Sequence, residues 1–233
     1  HRYPVSQRGQ TEQVVIDQLT KKQFCELYEK QMVPTSKRAR KYYDKLLNSV
    51  PSAKCPLCGF GQVSTLDHFM PKSFYPYFAV LPLNLVPVCA DCNKKKVARM
   101  LRGCGQSSHP YFEEPQIETE TWLYAEVVET SPATAKFSVL TPVAWPEKLS
   151  QRIKNHFADL ELASRFAIEA ACEIASLSNS LEHFGTGKDI GIHLRETAAL
   201  EREHHKNTWK HALYEGLSQS RWYQDRIHRR SIV

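Results

Sequence analysis

Apolar positions along the first fifty residues recur with a helical period. Phe24, Leu27, Tyr28 and Met32 follow a Thr20/Gln23 pair of capping-box type and stop at Pro34. A second stripe, Ala39, Tyr43, Leu46, Leu47 and Val50, predicts a helix capped by Ser36 and ended by Pro51, with a basic opposite face. From Ala53 to about Arg102 the chain is bounded by cysteines, and 103–108 (GCGQSS) reads as a loop. Two runs of β type, 122–128 and 135–141, flank a Ser131-Pro132 turn signal and predict a hairpin. From Pro146 the period is helical again: Leu149, Ile153, Phe157 and Leu160, then Phe166, Ala170, Ile174, Leu177 and Leu181. Gly185-Thr186-Gly187 predicts a break, followed by helices over 189–205 and 207–222, the latter carrying Trp209, Leu213 and Leu217. These stripes read as core faces rather than cofactor sites. No internal repeat is present.

Composition narrows the class. A chain of 233 residues that is 42% hydrophobic and 24% charged is neither disordered nor fibrous, and it can bury a sizeable core. No stretch approaches the roughly 18–20 apolar residues of a membrane span, and the start lacks the apolar centre of a secretory signal, so a cytoplasmic protein without membrane association is predicted. Thirty-one Lys and Arg against 25 Asp and Glu leave a formal charge of +6, which permits a polyanionic partner. The positive charge is grouped at 37–45 (Lys37, Arg38, Arg40, Lys41, Lys45), at 94–102 (Lys94, Lys95, Lys96, Arg99, Arg102) and at 221–230 (Arg221, Arg226, Arg229, Arg230). Each run also fits a solvated helix face.

The seven cysteines separate into two Cys-x-x-Cys pairs, Cys55/Cys58 and Cys89/Cys92, and three single residues, Cys25, Cys104 and Cys172. Two matched pairs predict four thiolates around one structural Zn2+, with Gly59 allowing the tight turn of the first knuckle. Redox-active pairs are the alternative. Thirty residues lie between the pairs, more than a simple ribbon needs, so further structure is built inside the loop. That loop holds Asp67-His68 and Asn84, and Asn93 follows the last cysteine directly. A carboxylate and an amide oxygen suit a hard cation such as Mg2+ or Mn2+, while an adjacent imidazole can deprotonate water. Closing the four-cysteine knot would draw Asp67 and Asn93 together across the 25 residues that separate them.

The segment 55–96 resembles the HNH, or ββα-metal, endonucleases. The resemblance implies Asp67 as a metal ligand, His68 as general base, Asn84 as the asparagine tying the loop to the hairpin, and Asn93 as last motif residue and second metal ligand. Asn rather than His at that last position departs from the letter pattern and leaves the metal preference open. Lys72, Lys94 and Lys96 are candidate phosphate contacts, and His109 is a candidate further ligand whose simpler reading is a structural histidine. The implied architecture is α+β: residues 1–52 as N-terminal helices, 53–112 as the zinc-framed HNH module, 113–145 as a hairpin region, and 146–233 as C-terminal helices. Outside the module, His109-Pro110-Tyr111-Phe112, Arg152 with His156-Phe157, and 207–214 (NTWKHALY) are similar to HNH proteins that accompany ATPases in bacterial anti-phage systems, among them Septu and Septu-like retrons. This likeness implies a nuclease effector whose C-terminal helices dock an ABC-type ATPase. The substrate is a nucleic acid, with DNA favoured and RNA, including structured RNA of tRNA type, as the alternative. A zinc ribbon that binds nucleic acid or protein without cutting is the rival class. It explains the cysteines and the basic patches and leaves Asp67, His68 and Asn93 without a role.

Overall fold

The computed structural model describes residues 19–96, 105–181 and 187–230. Arg99, Arg102, Cys104, Gly185 and Thr186, to which the sequence assigned charge, loop or helix-break roles, lie outside these residues, as do the side chains of Arg229 and Arg230. The architecture is mixed, helices with two small antiparallel sheets, and the chain divides after Phe112 into two compact units. The N-terminal helices share the first unit with the cysteine-bounded segment, and the hairpin shares the second with the C-terminal helices. Among the described residues, no helix is long and apolar enough to cross a membrane.

In the first unit, Thr20 caps α1 (Lys21–Glu26) through a complete capping box: Gln23 returns its side chain to the Thr20 backbone N–H at 2.8 Å. The helix then widens into a π-helical turn, Leu27–Met32, in which the Val33 N–H donates to the Tyr28 carbonyl at 3.0 Å. The next helix, α2 (Arg40–Leu47), is shorter than the stripe predicted. Turns occupy 34–39, so Ala39 and not Ser36 is the N-cap, and the far end stops at Asn48 because Asn48 and Ser49 side chains take the Asp44 and Leu46 carbonyls. Strand β1 (Thr65–His68) pairs antiparallel with β2 (Leu85–Val88), with Asp67 opposite Val86 and His68 opposite Leu85. Helix α3 (Ala90–Lys95) follows β2 directly. Tyr28, Met32, Tyr43, Leu66, Ala79 and Leu85 form the shared core, which fastens the N-terminal helices to the sheet.

In the second unit, a short helix α4 (Gln116–Thr119) precedes the hairpin β3 (Leu123–Val128) and β4 (Thr134–Val139), registered Leu123 to Val139. Burial alternates along both strands, as a sheet covered on one face requires. Helices α5 (Glu147–Asp159) and α6 (Leu162–Leu181) bury the predicted positions Leu149, Ile153, Phe166, Ala170 and Ile174. Helix α7 (Gly187–His204) is followed by α8 (Trp209–Gln219) and α9 (Arg221–Arg230). The single helix predicted over 207–222 is thus two. Ser220 turns extended, and its hydroxyl accepts from the Tyr223 N–H to start α9.

Candidate functional site

Two knuckles bring the four paired cysteines together. All four thiols are buried, and their Sγ atoms lie within 4.8 Å of one another. Cys58 and Cys89 are 3.8 Å apart, the edge expected of a tetrahedron with metal–sulfur bonds of about 2.3 Å. The knuckles repeat one hydrogen bond: the Gly61 N–H donates to Cys58 Sγ and the Cys92 N–H to Cys89 Sγ, both at 3.4 Å. Gly59 sits at φ +76°, the left-handed turn for which glycine is suited. Gly61 is required for a different reason. A Cβ there would lie 2.8 Å from Cys89 Sγ and 3.3 Å from Cys58 Sγ. The Cys55 thiol, hydrogen-bonded to Cys58, holds Cys58 far below the ordinary thiol range, while Cys55 itself is pushed up to about 11. Four buried thiols this close together can hold a zinc ion.

The zinc-type knot carries the site. Cys89 caps α3 through its sulfur, so the helix that presents Asn93 and Lys96 starts on a knuckle. A cleft of about 490 Å³ lies in the same unit, and Asp67, His68, Asn93, Lys72, Lys96 and Tyr28 all line it. The structure therefore gathers Asp67, His68 and Asn93 around one cleft. Asn84 has another place. It is buried at the base of the 69–84 loop, accepting from the Met70 N–H at 2.7 Å and donating to the Met70 and Phe78 carbonyls at 3.1 Å each. It shapes the loop and does not line the cleft.

That loop in turn orients the imidazole. His68 Nε2 donates to the Ala79 carbonyl at 2.8 Å, which leaves Nδ1 as the basic nitrogen of the neutral ring. Burial pushes the His68 pKa below the ordinary histidine value. Tyr28 stands edge-on to the ring, centroids 4.4 Å apart, and its hydroxyl donates to the Leu66 carbonyl at 3.2 Å. Tyr28 and Tyr43 come from the N-terminal helices, where their stripe positions read only as core.

The candidate phosphate lysines differ. Lys96 donates to Asp67 Oδ2 at 2.5 Å and to the His68 carbonyl at 2.9 Å, with its ammonium over the Phe69 ring. It is the counter-charge of Asp67, held inside the site by two acceptors, and burial pushes its pKa down. Lys72 also lines the cleft, pairing with Glu29 at 2.7 Å across the Tyr28 ring. Lys94 is exposed and does not line it. His109 is buried among Phe69, Tyr111 and Phe112, accepts from the Tyr111 N–H, and is pushed down to about 4 by burial. It does not line the cleft, as its structural reading anticipated.

The C-terminal residues likened to ATPase-associated nucleases build the second unit. Asn207, at φ +59°, accepts from the Trp122 and Leu123 N–H groups and donates to the Ile117 and Glu120 carbonyls. Thr208 caps α8, and Trp209, Ala212, Leu213 and Tyr214 are buried. Arg152 grips Glu113 with two nitrogens, the shorter contact 2.6 Å. These side chains hold the unit together.

Comparison with known proteins is sparse. The chain matches no family model and no solved structure. It is similar to Protein ea31 of Escherichia phage lambda, 36% identical over 174 residues, which is 73% of this chain. The match takes in 58% of the phage protein's length.

Proposed function

We propose that the chain is a metal-dependent endonuclease of the HNH kind that hydrolyses nucleic-acid phosphodiesters. The observation carrying this reading is the convergence of Asp67, His68 and Asn93 on one cleft beside a four-cysteine knot, with the His68 tautomer set by a backbone carbonyl. Asp67 and Asn93 offer hard oxygen donors that suit Mg2+ or Mn2+. A divalent cation bound there supplies charge neutralisation at the phosphate and the leaving oxygen. His68 Nδ1 takes the proton of the attacking water, and the Ala79 carbonyl keeps the ring from turning. Lys96 orients the Asp67 carboxylate and adds fixed positive charge to the cleft, while Lys72 is the lysine best placed to meet a substrate phosphate. The four cysteines act as the frame.

Purified protein is expected to cleave plasmid DNA or total bacterial RNA with Mg2+ or Mn2+, and His68→Ala is expected not to. Cleavage of one substrate class by wild type alone names that class. Zinc content with nucleic-acid binding but no cleavage under any condition would replace the enzyme by a zinc-ribbon binding module. An anti-phage role with an ABC-type ATPase rests on the resemblance around 109–112, 152–157 and 207–214, of which Tyr111 and Phe112 are exposed while His109, His156, Trp209 and Ala212–Tyr214 are buried. Co-purification with an ATPase encoded beside the gene, and cleavage that depends on it, test that role.

A further inference from the structure

A second cavity of about 460 Å³ lies in the first unit, with apolar walls from Leu27, Met32, Leu46, Val80 and Pro82. Three of its lining residues are chain neighbours of residues that line the cleft. Leu27, Met32 and Tyr42 line this groove, while their chain neighbours Tyr28, Val33 and Tyr43 line the cleft. The π-helical turn and α2 thus present one side chain to each cavity at successive positions. π-Helical turns are uncommon and concentrate at functional sites.

The rim of the groove is aromatic and cationic. Tyr42 is 57% exposed, with the Lys41 ammonium 5.0 Å from its ring centre, and Lys45 lines the cavity. Lys37, Arg38, Lys41 and Lys45 are exposed and have no acidic partner among the described residues. Arg40, by contrast, turns inward to Asp44 and the Val33 carbonyl. A groove of this kind, apolar inside, edged by an exposed aromatic ring and bordered by unpaired cations, is complementary to a planar base on an anionic backbone.

We infer that the groove is a base-binding subsite for single-stranded nucleic acid, with Tyr42 as the stacking platform and the exposed face of α2 as the phosphate track. The inference deepens the nuclease reading and rests on it. The scissile phosphate lies in the cleft while a base of the same strand, on the other side of the helix pair, turns into the groove. A duplex keeps its bases stacked and cannot make the second contact, so unpaired strands are preferred.

The test uses the full chain in the His68→Ala background, with a fluorescein-labelled oligothymidylate and the matching duplex as probes. The single strand is expected to bind more tightly than the duplex. Tyr42→Ala is expected to weaken single-strand binding about tenfold, with Tyr42→Phe restoring it. Lys41→Gln with Lys45→Gln is expected to make the salt dependence shallower by about 1.4 in log–log slope, the share of two phosphate contacts. A thymidine analogue that crosslinks on irradiation is expected to label Tyr42. Equal single-strand affinity for Tyr42→Ala and the parent, in a protein whose wild type cleaves nucleic acid, overturns the subsite and assigns the groove to a protein partner. If wild type neither binds nor cleaves nucleic acid, the nuclease reading itself fails, and the subsite with it.

Discussion

At the scale of single residues, the imidazole of His68 is prepared by its surroundings more than by its identity. Burial lowers its pKa, outweighing the hydrogen bond from Nε2–H to the Ala79 carbonyl, which acts in the opposite direction, so the neutral, basic ring persists to lower pH than a solvated histidine allows. His68→Ala is expected to reduce cleavage by about 10²–10⁴ with little change in melting temperature. The acid limb of the cleavage pH profile is expected below about 6.5, because protonation that disables the base is postponed by burial. An acid limb at or above the ordinary histidine value contradicts this assignment. Lys96 gives a second residue-scale prediction. Removing its ammonium leaves a partly buried carboxylate at Asp67 without its counter-charge, so Lys96→Gln is expected to cost about 1–3 kcal/mol. Added Mg2+ is expected to stabilise Lys96→Gln more than wild type, since a cation then replaces the lost charge; denaturant titrations with and without the metal read this directly.

At the scale of elements, the 69–84 loop and the knuckles carry the site. Asn84 satisfies three backbone groups of that loop, and Asn84→Ala is expected to cost roughly 3 kcal/mol by leaving them without partners in a buried place. Because Ala79 lies in the same loop, the variant is also expected to lose cleavage at temperatures where it remains folded. Retained cleavage at wild-type rate would detach the loop from the orientation of His68. In the knuckles, Gly61→Ala is expected to weaken zinc retention in a competition with chelator, since the added methyl collides with two of the thiol sulfurs. An alanine elsewhere in the first unit that faces open space serves as the control.

At the scale of the whole molecule, the two units are held by different forces. The first unit has a modest apolar core and a four-thiol knot, whereas the second packs helices on a hairpin around Leu123, Phe137, Phe166, Leu213 and Leu217. A structural zinc contributes apparent binding energies of about 10–16 kcal/mol in small zinc domains. Chelation, or Cys89→Ser, is therefore expected to unfold the first unit while the helical signal of the second survives, giving two separated transitions in thermal circular dichroism. One cooperative transition, unmoved by chelator, would show that the cysteines are not the frame.

Much of this was legible along the chain, and the boundary of legibility has a physical cause. Periodicity and spacing are local properties: the capping box at Thr20, the apolar stripes of α5 and α6, the hairpin near 123–139 and the two matched cysteine pairs follow from residues close in sequence. Asp67-His68 and Asn93 were legible because their positions relative to the cysteines are counted in sequence. Helix ends were less so. Side chains at Asn48, Ser49 and Ser220 competed with the helix for backbone groups and moved the predicted limits of α2 and α8. The long-range pairings belong to the tertiary structure alone. Only there does Lys96 meet Asp67 from 29 positions away, Tyr28 press on His68 from 40, and Asn207 close on Trp122 from 85. The sequence by itself determined which residues could do chemistry and which faces had to be buried. Which lysine neutralises the carboxylate, which carbonyl sets the imidazole tautomer and which helices wall the cleft were decided by packing, because those contacts depend on distances that folding creates.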